Sequence, residues 1–505
     1  MSKIADNQDS QGTELEPPKP KWKPGWKTYC VTTLVLLLAA GWLGLWLWEQ
    51  SARQEFEAEV AQLRERGEPV WFVDLKPEPL PPEQDGTSDF LAAATMLDAL
   101  MRQSSTVTPR LRDKLWKSKT SAVLILPSQY DLQRLEDALT ESGDILTSLR
   151  RAMDRGSMQP PRDYDAAIPY SDSSEWIDSQ RPLADLLMAE GVVAIANQET
   201  DRAVAAVTDL LRFVDLTENN PETLGQFVRI SSIGKAVALL ALTLENCDLD
   251  IDQRQFLDEW LEDLELNLRM RPTLANERAQ VLTTIANFEE VLQREGYENI
   301  TKDASNLWIY RRLRTLQYQD MTKSIHMMNQ AMEAVDQTGP EGTRAVQEWQ
   351  AESQELMGST YVMTGFFVTS PGPLRNAAMR TRQQLRGLRL ALRVDAYYRQ
   401  HQQFPKSLDE VLDESLPQIP LGTYSRLPPV YRTLPLRVSQ QQSSTQSAPL
   451  GFAIYCVGEN GVDDNGGDRT LPNMVDEWSS KIEINYNRPP RTMDPNAEDA
   501  NTENN

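Results

Sequence analysis

The hydrophobic pattern changes character along the chain. From Thr28 to Trp48 it is continuous and uncharged, TYCVTTLVLLLAAGWLGLWLW. A helix rising about 1.5 Å per residue makes this run about 31 Å long, the thickness of a bilayer's hydrocarbon core. Beyond it, Phe56, Val60 and Leu63 fall at i, i+4 and i+7. The same helix is therefore predicted to continue to about Arg66 with one apolar stripe, and Gly67 ends it. Val70 to Val73 reads as a short extended piece, and Lys76 to Pro82 as a stiff polyproline connector. From about 88 to 357 the period is helical. Helices are predicted over 128–140 with Ser128 as cap, then over 183–197, 202–216, 222–245, 253–266, 274–295 and 303–336. A further long helix is predicted over 374–400. Within 253–266, Phe256, Trp260, Leu261 and Leu264 are expected to face inward, with Asp258, Glu259, Glu262, Asp263 and Glu265 solvated.

Two other apolar runs compete with the first as membrane contacts. Ile230 to Leu244 contains Lys235 and is too short to span a bilayer, so it reads as a buried core helix. Tyr361 to Ser370 reads as a packed loop or strand, or as a contact with the membrane surface. The helices around Gly191 and Ala203 are similar to a tetratricopeptide hairpin, in which small residues let two helices approach closely. The pattern does not recur at that repeat's period, so one hairpin within an α-rich domain is expected.

Flanking charge orients the first run. Lys19, Lys21, Lys23 and Lys27 precede it, whereas Glu49, Glu55, Glu57 and Glu59 follow it, and tryptophans sit at both ends. The positive-inside rule places the N-terminus in the cytoplasm and the bulk of the chain outside. The rival is a cleaved signal peptide cut near Ala39-Ala40-Gly41, but the apolar run continues past that point to Trp48. The expected partners are therefore the lipid bilayer, through residues 28–48, and proteins. The 74 Asp and Glu against 51 Lys and Arg, a net charge of −23, argue against nucleic acid.

Candidate chemistry is sparse. There is no G-x-S-x-G elbow, phosphate loop, H-E-x-x-H or C-x-x-C. His326 and His401 read as packed or surface histidines, the latter suited to a helix C-terminus. No catalytic residue is predicted, and the expectation is a protein that is not an enzyme. A membrane-anchored hydrolase is the further alternative, which would need a polar cleft holding His326 or shifted carboxylates. Glu190, Arg229 and Lys235 stand in apolar helices and must pair or reach solvent, with Glu190–Arg229 as one candidate pair. Arg382, Arg386, Arg389 and Arg393 form a stripe that either salt-bridges to the acidic body or stays exposed for an acidic partner. Cys247 and Cys456 are free to bridge outside the cytoplasm, although Cys456 on an apolar strand reads better as a buried thiol.

The C-terminal fifth says more. A long helix ends in ALRVDAYYRQHQQFPKSLDEVL; after Phe404-Pro405, Ser407 can cap a short helix with Leu408, Val411 and Leu412. Residues 437–449 are a Gln/Ser-rich hairpin loop, Gly451 to Val457 a strand, and Lys481 to Tyr486 a last strand. Between the strands lies GENGVDDNGGD, whose Glu459, Asn460, Asp463, Asp464 and Asp468 are candidate calcium ligands, because calcium takes six to eight oxygens on a flexible loop. The order of these elements, with Phe404-Pro405, Tyr455, Gly458, Gly461, Asp463, Asp464, Gly466, Gly467 and Asp468, resembles the C-terminal domain of the major pseudopilin of type II secretion systems over about 385–486. That resemblance implies a small helix-plus-sheet domain, a calcium site and a bacterial inner-membrane setting. Asn460 departs from the usual aspartate, Leu421-Gly422 replaces the usual Asp-Pro, and the span lacks a prepilin cleavage signature. The whole layout also resembles bacterial single-pass proteins in which an α-rich body precedes this domain, a likeness that implies no activity.

The expected fold is thus mainly α. It comprises a cytoplasmic tail (1–27), a transmembrane helix (28–48), a juxtamembrane helix and connector (49–87), a helical extracytoplasmic body (88–373), a long helix with a pseudopilin-like α+β domain (374–486) and an acidic tail (487–505). The expected role is structural or protein-binding in the envelope; the alternative is an accessory part of a type II secretion-like, pseudopilus-like system.

Overall fold

The computed structural model describes residues 25–103, 126, 129–159, 162–169, 174–220, 222–293, 310, 312–356, 361–368, 370–434, 451–458, 462–463 and 481–485. It is mainly helical. The first helix, α1, is Trp26–Glu65 and runs without a break from the apolar segment into the charged one. It is long and apolar enough to cross a membrane, and none of its most apolar window is buried. Gly67, at φ +68°, takes the chain out of it.

The body is built from α2 (Thr87–Gln103), α3 (Gln129–Glu141), α4 (Gly143–Arg155), α5 (Ser174–Ala196), α6 (Thr200–Leu216), α7 (Thr223–Asn246), α8 (Ile251–Asn267), α9 (Arg271–Ala286), α10 (Phe288–Gln293), α11 (Arg314–Asp336), α12 (Gly339–Leu356), α13 (Val362–Phe367) and α14 (Pro371–His401). The sequence-level start and stop signals operate as physics requires. Asp250 caps α8 in a reciprocal box with Gln253. Ser370 precedes Pro371, whose missing N–H costs nothing in the first turn of α14. Gly156 closes α4 in the left-handed region.

α5, α6 and α7 pack on one another. The predicted hairpin is present, and a Cβ on Gly191 would lie 3.1 Å from Ala206 Cβ and closer still to the Leu239 methyls. The absent side chain therefore permits the close approach. Of α7's most apolar window, 78 % is buried, so the second apolar run is a core helix as expected. One hydrophobic core extends from Phe90 in α2 through these helices to α14 and to the sheet. A second core gathers Phe56, Val60 and Leu63 of α1 with Ile285, Phe288, Tyr310, Met321 and Ile325.

The sheet has the order β1 (Val430–Leu434), β2 (Gly451–Tyr455) and β3 (Ile482–Asn485), all antiparallel, with Tyr431 opposite Ile454 and Phe452 opposite Ile484. β2 is buried along its whole length, with α14 packed against β2 and β3 and α7 against β3.

Several expectations are corrected. Phe72–Leu75 forms a 3-10 turn rather than an extended piece, because the Asp74 carboxylate accepts from the Val70 and Trp71 N–H groups at 3.0 and 2.9 Å. Tyr361 to Ser370 contains the short helix α13 rather than a strand. The buried Asp320 carboxylate accepts from the Met363 and Thr364 N–H groups at 2.9 and 3.0 Å and supplies the missing cap. Ser407 makes no cap bond to the 3-10 turn Leu408–Val411; its hydroxyl contacts Asp409 instead. Phe256 is 46 % exposed, and the buried face of α8 is Leu257, Leu261 and Leu264. Ser128, the 437–449 loop and the predicted helical residues 294–295 and 303–309 lie outside the described residues.

Candidate functional site

The arginine stripe of α14 lies against α8. Arg386 reaches Glu265 at 2.6 Å, Arg389 reaches Asp258 at 3.0 Å and Glu262 at 3.1 Å, and Arg393 reaches Asp258 at 2.6 Å. Arg254 of α8 returns a bond to the buried Asp395 at 2.9 Å. Residue numbers rise on one helix as they fall on the other, so the two run antiparallel. The stripe is thus the internal clamp that the salt-bridged reading expected. The acidic residues Asp258, Glu262 and Glu265, read from sequence as solvated, are its counter-charges. Glu190 pairs with Arg150, which also holds Asp209 at 2.7 Å, and Lys235 pairs with Asp185 at 2.6 Å. The suggested Glu190–Arg229 pair is not formed, because Arg150 of α4 reaches Glu190 first across the α5–α6 surface.

Among the predicted calcium ligands, Glu459, Asn460, Asp464 and Asp468 lie outside the described residues. Asp463 is described. Its Oδ2 accepts from Arg432 Nη2 at 2.6 Å and its Oδ1 from the Tyr455 hydroxyl at 2.9 Å. Arg432 also lies over the Tyr455 ring, 5.6 Å from its centroid. This carboxylate is therefore already neutralised, and a cation would have to displace a guanidinium from it. No cluster of three or more metal-ligating His, Cys, Asp or Glu occurs among the described residues.

His326 is half exposed and its Nε2 lies 3.1 Å from Glu59 Oε1, linking α11 to α1. His401 packs on Tyr397 in the last turn of α14, with ring centroids 4.3 Å apart. Among the described residues, Asp320 and Asp215 are the carboxylates pushed upward, in each case by burial, Asp215 to about 6. Both are hydrogen-bonded inside the fold, Asp215 to Trp260 Nε1 at 2.9 Å.

A groove of about 740 Å³ lies where α1 meets α11. Its floor holds Phe56, Val60, Trp71 and Met321, and its rim holds Arg53, Arg64 and Arg314, with Glu57 as the acid lining it. Arg53 is bonded to Glu57 at 2.7 Å; Arg64 and Arg314 have no ion pair among the described residues. On α1, the charges at 53, 57 and 64 flank the apolar stripe at 56, 60 and 63, a signal present in the sequence. Arg314 and Trp71 join them only through the fold. Neither His326 nor a raised carboxylate lines this groove.

Comparison with protein-family models, with curated proteins and with solved structures returns no match to this chain.

Proposed function

We propose that the protein is a membrane-anchored scaffold of the bacterial envelope, with its N-terminus in the cytoplasm, α1 crossing the inner membrane once and the body outside. Its role is to seat a protein partner. The observation that carries this reading is the continuity of α1: one helix holds the apolar segment at one end and a core-packed stripe at the other. Such a helix mounts the body at a fixed height and orientation. Signal cleavage near Ala40 would leave Trp42, Leu43, Leu45, Trp46, Leu47 and Trp48 on the product, each at least 39 % exposed, so retention as an anchor is the favourable state.

The groove on the body side of that anchor is the proposed seat. Arg53 stands about 7–8 Å along the helix from Trp48. Apolar floor and cationic rim together fit an acidic amphipathic helix of an envelope protein, which lays its apolar face inward and its carboxylates on Arg64 and Arg314. Membrane extraction with alkali, protease protection and photo-crosslinking from Gln317 test the reading. A chain resistant to extraction, giving a discrete adduct with an acidic partner that Arg64→Glu with Arg314→Glu abolishes, is expected. Release into the soluble extracytoplasmic fraction would sink the anchor, and adducts unchanged by charge reversal would sink the seat.

The second reading, an accessory component of a secretion machine, is supported by the C-terminal order: long helix, Phe-Pro turn, short helical turn and antiparallel sheet. Recovery of secretion-machine subunits after cross-linking, together with calcium-dependent melting lost in Asp464→Ala with Asp468→Ala, would favour it.

A further inference from the structure

A second concavity, of about 390 Å³, opens between the end of α6 and the starts of α7 and α9. Its wall is mostly polar, with Pro272 the exception, and includes Arg229, Asn220, Thr273, Asn276, Arg269 and Glu218. Arg229 is only 2 % exposed. Its Nε donates to the Val214 carbonyl at 3.2 Å, and its Nη2 lies 3.6 Å from Glu218 Oε1, beyond hydrogen-bond length. The remaining guanidinium donors have no acceptor among the described residues. Asn220, 4 % exposed, accepts from the Glu222 N–H through Oδ1, while its Nδ2 has no acceptor.

Two other buried arginines have closer charged or amide acceptors. Arg278 has Glu68 at 2.6 Å and Asn329 at 2.7 Å, and Arg389 has two carboxylates within 3.1 Å. A buried cation with one loose, half-exposed counter-ion bears most of its desolvation cost uncompensated. Burial also pulls the Arg229 pKa downward. Asp215 stands behind it as a second counter-charge, acting through space without a hydrogen bond. Donors left over on buried side chains at the wall of a basin are the mark of a site completed by a ligand.

Charge and lining define that ligand. Among the lining residues Arg229 and Arg269 stand against Glu218, a surplus of one positive charge that Asp215 behind Arg229 reduces further, so the basin can take at most a monoanion and undersupplies a phosphate dianion. Amide and hydroxyl side chains both donate and accept, so they match hydroxyl groups, and the volume lies at the small end of ligand pockets. We infer that this basin binds a small polar monocarboxylate of the hydroxy-acid or sugar-acid class, with its carboxylate on the Arg229 fork and its hydroxyls on Thr273 and Asn276. The inference is independent of the membrane reading.

The test is thermal melting and calorimetric titration of the full chain in detergent with D-glucuronate, using D-glucose, acetate and inorganic phosphate as controls. The expected result is a saturable rise in the midpoint with glucuronate, a smaller one with acetate, and none with glucose. Arg229→Lys keeps the charge but loses the fork and should weaken glucuronate about tenfold, the value of one charge-assisted hydrogen bond. Because Arg229 is buried and its variant can fail to fold, Asn276→Asp at the half-buried rim gives a second measurement. It places a negative charge in the wall against the bound monoanion and should weaken binding by a similar factor without touching the core. No shift with millimolar glucuronate would overturn the proposal. So would a shift that phosphate matches, or one that survives in Asn276→Asp.

Discussion

Buried carboxylates in this protein differ according to how many donors surround them. Asp320 is fully buried and accepts from the Tyr310 hydroxyl at 2.8 Å, from the Met363 and Thr364 amides and from the Thr364 hydroxyl. Asp215 accepts from the Trp260 indole N–H, and burial lifts its pKa from 3.8 to about 6 against the pull of Arg229 and with the push of Glu218 and Asp263. The folded state thus keeps a proton that the unfolded chain releases first. Stability contributed by this group is present below pH 3.8 and is lost as pH rises to about 6, a change on the order of 3 kcal/mol. Asp215→Asn keeps an acceptor for Trp260 and removes the titration. Its melting midpoint should exceed that of the parent at pH 7.5 and lose the advantage at pH 4; an advantage that does not change with pH would refute the account. The cysteines give a second test at this scale. Cys247 and Cys456 are free and buried, as the apolar setting of Cys456 indicated, and burial pushes the Cys456 thiol up to about 12. A maleimide should leave both unlabelled in the native protein and modify both in denaturant. Rapid native labelling at Cys456 would contradict this packing.

Among the elements, the α8–α14 clamp and the glycine contacts decide the packing. Asp258 is shared by Arg389 and Arg393, so Asp258→Ala leaves Arg389 with Glu262 and Arg393 with Asp413, both half-exposed partners. It should destabilise by about 2–3 kcal/mol, read from chemical denaturation; a loss below about 1 kcal/mol would mean the clamp is solvated. Two glycines make a contrast. A Cβ on Gly86 would stand 2.5 Å from the Ala152 carbonyl oxygen, whereas one on Gly234 in α7 meets nothing within 4 Å. Gly86→Ala should cost roughly 1–3 kcal/mol through forced separation of α2 and α4. Gly234→Ala should be neutral or stabilising by up to about 1 kcal/mol through helix propensity. Equal effects would show that the α2–α4 approach is looser than described. The arginine stripe and the small residues of the α5–α6 hairpin were legible from spacing. Their partners were not, because a charged position on a helix looks the same whether it faces water or a counter-charged helix.

At the scale of the whole molecule, α1 is both the apolar helix and a wall of the second core. Leu63 is fully buried there. Leu63→Ala should cost about 2–5 kcal/mol and raise the protease sensitivity of residues 66–86, which lead from α1 into α2. Unchanged cleavage would mean the body does not depend on its mount. The buried Arg278 joins the same unit, bonding Glu68 just beyond α1 and Asn329 on α11.

By itself, the sequence determined what depends on neighbours along the chain. Continuous apolarity picked out Thr28–Trp48, the 3.6 period picked out many of the body helices, Gly67 marked the end of α1, and turn residues and alternation placed the last two strands. These follow from local sterics and from the face a helix or strand must bury. Tertiary structure alone decided which distant groups meet. It set Arg150 rather than Arg229 on Glu190, brought Asp320 to cap α13 across some forty residues, and carried Arg314 and Trp71 to the groove beside α1. It also left Arg229 short of acceptors at the edge of a polar basin. Such pairings depend on how helices dock, and docking is set by the summed shape and burial of whole faces, which no local spacing records.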